Sequence, residues 1–219
     1  MESDELDAVG LLSDPLRRKL YRFVAERGRE VGRNEAAEAL GVQRTLAAFH
    51  LDKLADAGLL ETDFRRLGER TGPGSGRPAK VYRRAGAERL VSLPPRDYRA
   101  LALMMAEVVD LLGAEEEAER VARRAGERLA RAASPADKGG DVAALLAERG
   151  YEPYEEGGRI RLRNCPFRMS AERHPLLVCS MNLALCQGVL AGLGVSEGAA
   201  ELDPRPGECC VSISKNNES

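Results

Sequence analysis

The sequence predicts a mainly α protein with α+β parts: an amino-terminal helical domain with a hairpin, a central pair of helices, and a small α+β domain at the carboxy end. Three observations carry that expectation. Apolar residues recur at helical spacing from Leu16 to Leu54 and again from Leu101 to Leu129. Two strand-like runs, 62–66 and 80–84, flank a stretch rich in glycine and proline at 72–78. Beyond Asp141, short helical runs alternate with strands bounded by turn residues. The chain has 219 residues, 43% of them hydrophobic, which is enough for one or two domains with buried cores. The expected boundaries are 1–90, 91–135 and 136–219.

Composition removes several classes of function. Aromatic residues make up 4% and tryptophan is missing, which argues against carbohydrate or base-stacking chemistry. Net charge is −2, yet the charge is uneven. Residues 1–90 carry 17 Lys and Arg against 15 Asp and Glu, while 91–219 carry 16 against 20. Between Arg65 and Arg84 seven basic residues face one acid, Glu69, and local charge decides where phosphates dock. The first ten residues are acidic and no segment approaches the length of a membrane span, so a cytoplasmic protein without a membrane partner is expected. Five cysteines, all after residue 164, do not suit a disulfide framework in a reducing compartment. Metal binding, redox chemistry and plain burial remain.

Ser13-Asp14-Pro15 opens the first helix: an oxygen-bearing cap, then a proline where its missing N–H costs nothing. Leu16, Leu20, Phe23 and Val24 follow on one face, and Gly28 stops the run. Asn34 is a candidate cap for the next helix, with Ala36, Ala37 and Leu40 inward, and Gly41 supplies a turn. A further helix over 43–57 turns Ala47, Leu51 and Leu54 to the core. Its other face carries Thr45, Ala48, Phe49 and Asp52, with Arg44 near the amino end. Helix, turn, helix and basic hairpin in that order make a winged helix-turn-helix, whose second helix enters the major groove. Arg44 then reaches a phosphate or a guanine edge, and Ala48 and Phe49 meet thymine methyls, unless Phe49 packs under the wing. His50 reads as a partly buried helix residue rather than a ligand. Arg77 ends the hairpin loop, as a minor-groove contact or as part of a solvated basic loop, followed by Lys80 and Arg83 on the second strand.

On the phrases LAAFHLDKLADAGLL (46–60) and GRPAKVY (76–82), residues 8–85 resemble the winged helix-turn-helix regulators of the ArsR/DeoR type. The resemblance implies binding to duplex DNA.

Residues 96–112 are so densely apolar (Leu101, Leu103, Met104, Met105, Val108, Val109, Leu111, Leu112) that the helix is expected to bury two sides, one against a second subunit. The next helix, 114–133, is charged and amphipathic, with Val121, Ala125 and Leu129 on one side. These are the expected dimerisation helices. A homodimer suits the reader, because a two-fold pair meets two half-sites of a palindromic operator. The SPADKGG stretch at 134–140 marks the next boundary.

In the last third, helices are expected at 141–149 and 175–193, and strands at 151–155, 159–164, around Leu202 and at 209–214. Cys179 and Cys186 lie seven residues apart on one helix, about 10 Å along its axis, too far for one zinc ion. Cys186 shares its face with Leu183 and Leu190 and reads as a small buried hydrophobe. Cys209 and Cys210, adjacent on a strand, are expected to face opposite ways. The economical set is Cys165, Cys179 and one of Cys209 and Cys210. Three thiolates suit a cubane cluster with one other ligand, for which Cys210, Cys186 and His174 are candidates; His174 otherwise caps the helix at Pro175.

Asn164-Cys165-Pro166-Phe167, His174-Pro175, Cys179, the glycines from Gly188 to Gly194, and Cys209 resemble the sensor domain of SufR-like regulators, iron–sulfur repressors of cluster-assembly genes. In that family's four-cysteine pattern the first gap is one residue shorter, the third cysteine falls at Leu193, and the last falls one residue before Cys209. The resemblance implies a 4Fe–4S cluster on Cys165, Cys179 and Cys209. The function expected is a sequence-specific DNA-binding repressor whose carboxy-terminal domain senses redox state or a cluster. The alternative is the same regulator with a small-molecule pocket lined by the apolar helix and no cluster. No enzymatic activity is expected, since only His174 is placed to serve a catalytic thiol.

Overall fold

The computed structural model describes residues 2–65, 78–133 and 141–215. It divides into two compact units, Met1–Arg96 and Asp97–Ser219. The architecture is mainly α with two small antiparallel sheets, as the sequence predicts.

The first unit holds α1 (Glu2–Gly10), α2 (Pro15–Arg27), β1 (Val31–Gly32), α3 (Arg33–Leu40), α4 (Arg44–Asp56), β2 (Leu60–Arg65) and β3 (Ala79–Arg84). Asp14 caps α2, its Oδ1 accepting the Arg17 N–H at 2.8 Å. Gly41 takes the left-handed turn between α3 and α4, at φ 64°. The cap of α3 is Gly32 rather than Asn34, because β1 delivers the chain directly into the helix. The sheet order is β1-β3-β2, with Val31 opposite Tyr82 and Leu60 opposite Arg84. Leu20, Val24, Ala47, Leu51, Leu54 and Tyr82 close the core beneath it. The hairpin tip, with Arg77, lies outside the described residues.

The second unit holds α5 (Tyr98–Leu112), α6 (Glu115–Ala132), α7 (Val142–Ala147), β4 (Pro153–Glu156), β5 (Arg159–Leu162), α8 (Arg168–Arg173), α9 (Pro175–Gly192), β6 (Ala200–Leu202) and β7 (Val211–Ser214). The sheet order is β4-β5-β7-β6, antiparallel throughout. Its core gathers Leu146, Tyr151, Leu162, Cys186, Leu190 and Val211. The boundary stretch 134–140 lies outside the described residues.

Two expectations for the middle of the chain change. The central helices do not stand apart from the cysteine-bearing part: α6 packs along α9, inside the second unit. The face of α6 that packs is Ala118, Ala122, Gly126 and Ala130, while Val121 points to solvent. Glycines explain the choice. A methyl group added at Gly126 would strike the Leu185 carbonyl oxygen and lie 2.8 Å from the Val189 nitrogen; one at Gly188 would strike the Arg123 carbonyl. The two backbones touch, so only the smallest side chains fit between them.

α9 also departs from the expectation that no segment is of membrane-spanning size, since it is long and apolar enough by length and composition. Its faces are taken by α6, β6 and β7, and Leu177, Cys186, Val189 and Leu190 are buried there.

Candidate nucleic-acid interface and thiol cluster

The outward side of α4 carries Arg44, Thr45 and Phe49, all exposed, with Ala48 half-buried. Phe49 is 54% exposed, so it does not pack under the wing. It stands edge-on to His50 at 5.3 Å between centroids, and Lys53 Nζ sits 5.2 Å from its centre. Lys53 thus belongs to this surface, which its helical spacing of four from Phe49 signals. His50 is buried, and its Nδ1 accepts from Arg17 Nε at 3.4 Å. That contact ties α4 to α2.

Asp52, expected on the outward face, turns toward β3. Its Oδ1 accepts from Lys80 Nζ at 2.6 Å and from the Tyr82 hydroxyl at 2.9 Å. Burial raises the Asp52 carboxyl, but the bonds from Lys80 and Tyr82 outweigh it and hold the group below its ordinary range. Lys80 is therefore engaged within the fold. Arg83 is paired with Glu61 at 2.6 Å, with most of its side chain in solvent. Such an exposed pair is weak. Arg44 makes no ion pair among the described residues.

The cysteines converge. Cys165 leaves the end of β5, Cys179 lies in the first turns of α9, and Cys209 and Cys210 precede β7. Their thiols lie near enough to influence one another in sequence: Cys165 with Cys209, Cys209 with Cys210, Cys210 with Cys179. The strand expected from Cys209 begins only at Val211. Cys209 and Cys210 therefore sit in a bend, free of strand alternation, and meet at one site instead of facing opposite ways. Cys186 stands beside these four, against the Tyr151 hydroxyl. His174 is elsewhere, its Nδ1 2.5 Å from Asp110 Oδ2 on α5. Of the three candidates for a fourth ligand, Cys210 is the one in the chain of sulfurs.

Two buried polar groups support Cys209. Asn182, 2% exposed on α9, donates its amide N–H to Cys209 Sγ at 3.1 Å. The Tyr151 hydroxyl donates to Asn182 Oδ1 at 2.5 Å. Bonds from Cys165 and Cys210, the Val211 N–H and Asn182 hold the Cys209 thiol far below its ordinary range, against burial. Bonding to Cys209 and burial push Cys165 and Cys210 up, and burial pushes Cys186 up to about 12. Burial first, and then the nearby thiols, raise the Tyr151 hydroxyl, which keeps it a donor. The Asn182 amide and the Val211 N–H thus favour the thiolate form at Cys209. Asn182 and Tyr151 escape a reading by cysteine spacing, although an amide inside the apolar run 176–193 is a signal in itself.

The donor set can be tested against metal groups. No group of three His, Cys, Asp or Glu among the described residues is arranged to hold a single ion. A polynuclear cluster makes a different demand, for thiolates spread around its edges rather than aimed at one point. Cys165, Cys179, Cys209 and Cys210, carried by a loop, a helix and a bend, are the thiols that could hold such a group.

Residues 12–63 match the family model of the helix-turn-helix domain, which runs from just before α2 to the middle of β2. No curated protein and no solved structure matches the chain. With α3, the Gly41 turn and α4 in the geometry described, the amino-terminal unit carries a helix-turn-helix domain, and the chain is a DNA-binding regulator of transcription.

Proposed function

We propose that the protein is a dimeric, sequence-specific repressor whose carboxy-terminal unit responds to redox state or to an iron–sulfur cluster on Cys165, Cys179 and Cys209, with Cys210 as the fourth thiol. The chain of four sulfurs supports this reading above all else. A 4Fe–4S cluster, when bound, supplies a redox-active group sensitive to oxygen.

The protein's own residues do the rest. Asn182 gives Cys209 an N–H that favours the thiolate, the form that would hold a cluster. Cys179 sits one turn beyond His174, and His174 is bonded to Asp110 on α5. A change at Cys179 therefore reaches α5 through the start of α9. On α5, Met104, Met105, Val108, Leu111 and Leu112 are exposed, and this face serves the dimer. The dimer sets two α4 helices into successive major grooves of a palindromic operator, and the state of the sulfurs biases one dimer arrangement over another.

Anaerobic reconstitution of the full chain with iron and sulfide tests the reading. The expected product is brown, holds iron and acid-labile sulfide in similar amounts, and loses both in Cys165→Ser/Cys179→Ser. A colourless, iron-free product whose free-thiol titre also resists mild oxidation overturns it.

A further inference from the structure

A cavity of about 250 Å³ opens within the second unit, among α6, α7, α9 and the turn after Cys165. Its walls are aliphatic, including Leu129, Leu145 and Leu185. Two aromatic rings complete them: Tyr151 and Phe167, edge to face at 6.4 Å. One charged residue borders the space, Arg149. It is exposed, and its guanidinium makes no ion pair or hydrogen bond among the described residues.

The chemistry of the lining limits the occupant. Drug-sized ligands take cavities of about 300–1,000 Å³, so this one suits a smaller molecule. The walls offer an apolar body nothing but contact area. The single free guanidinium at the edge matches a carboxylate, which it meets with two parallel N–H bonds. A dianion or a polar body would leave buried groups without partners.

We propose that this cavity binds a small apolar monocarboxylic acid, chain inward and carboxylate on Arg149. The site lies beside the sulfur chain and shares a residue with it. The Tyr151 ring faces the cavity, while its hydroxyl holds Asn182, which holds Cys209. An occupant that shifts the ring acts on the donor that supports the thiolate, so acid binding and sulfur state are coupled in both directions. The inference does not depend on a cluster, and its test uses protein that has never met iron.

Titration calorimetry on the reduced, iron-free full chain decides it, with octanoate as the probe and octanol as its uncharged counterpart. Octanoate is expected to bind one per chain and at least tenfold more tightly than octanol. Arg149→Gln is expected to erase that tenfold difference while leaving octanol binding unchanged. Leu129→Phe, which fills the cavity from a half-buried position, is expected to abolish both. Circular dichroism confirms that each variant is folded. Failure of octanoate to bind wild type, equal affinity for acid and alcohol, or full octanoate affinity in Arg149→Gln overturns the proposal. None of these outcomes touches the iron–sulfur reading, whose own test is uptake of iron.

Discussion

Asn182 spends both halves of its amide inside the protein, one on Tyr151 and one on Cys209. A buried amide or hydroxyl without a partner costs about 1–3 kcal/mol. Asn182→Leu keeps the volume and removes both bonds, and Tyr151→Phe removes one. Each single change is expected to lower the denaturation midpoint. The double variant is expected to lose less than the two single losses added, because the Tyr151–Asn182 partners disappear together. Urea titration of the four proteins measures the shortfall. The same scale shows what residue type alone conceals. Lys80 and Arg83 are basic residues on a wing strand, a fair expectation for phosphate contacts. Their partners Asp52 and Glu61 come from twenty or more positions earlier, and no local pattern announces that Lys80 is already bonded in the fold. Likewise Cys209 and Cys210 depended on where β7 begins. A strand start two residues late turns opposed side chains into neighbours.

Among the elements, those that were readable had long, strongly periodic faces. α2, α4 and the β2–β3 pair fall within a few residues of expectation, since their apolar residues repeat with the period of the element. β1, with two residues, and α8, with six, are too short to show a period. α6 failed for another reason. A hydropathy reading prefers Val121 and Leu129, but the partner helix selects for size, and Ala and Gly win. That selection yields a sharp prediction. Gly188→Ala forces α6 and α9 apart or strains both, and overpacking of this kind costs about 1–3 kcal/mol or more. Gly10→Ala, at a position where an added methyl meets nothing within 4 Å, is expected to stay within about 0.5 kcal/mol of wild type. Thermal unfolding of the two variants side by side provides the check.

At the scale of the whole molecule, the proposed dimer rests on α5, a helix that leaves large apolar side chains in solvent. Leu111 and Leu112 are 78% and 75% exposed, and none of its residues is buried. Leu111→Glu is expected to shift the protein to monomers in sedimentation velocity. On duplexes carrying two half-sites it is expected to lose at least tenfold in affinity, while binding to a single half-site is unchanged. Dimers that persist in this variant place the interface elsewhere.

The contact between Gly126 and Gly188 has a mechanical meaning. Packed side chains behave as a compliant layer: small displacements are absorbed when rotamers adjust. Between α6 and α9 there is no such layer at the crossing, only main chain on main chain. A push on the first turns of α9, where Cys179 sits, has nothing at that point in which to dissipate. Held backbone to backbone at that crossing, α9 is expected to carry α6 with it when its first turns move.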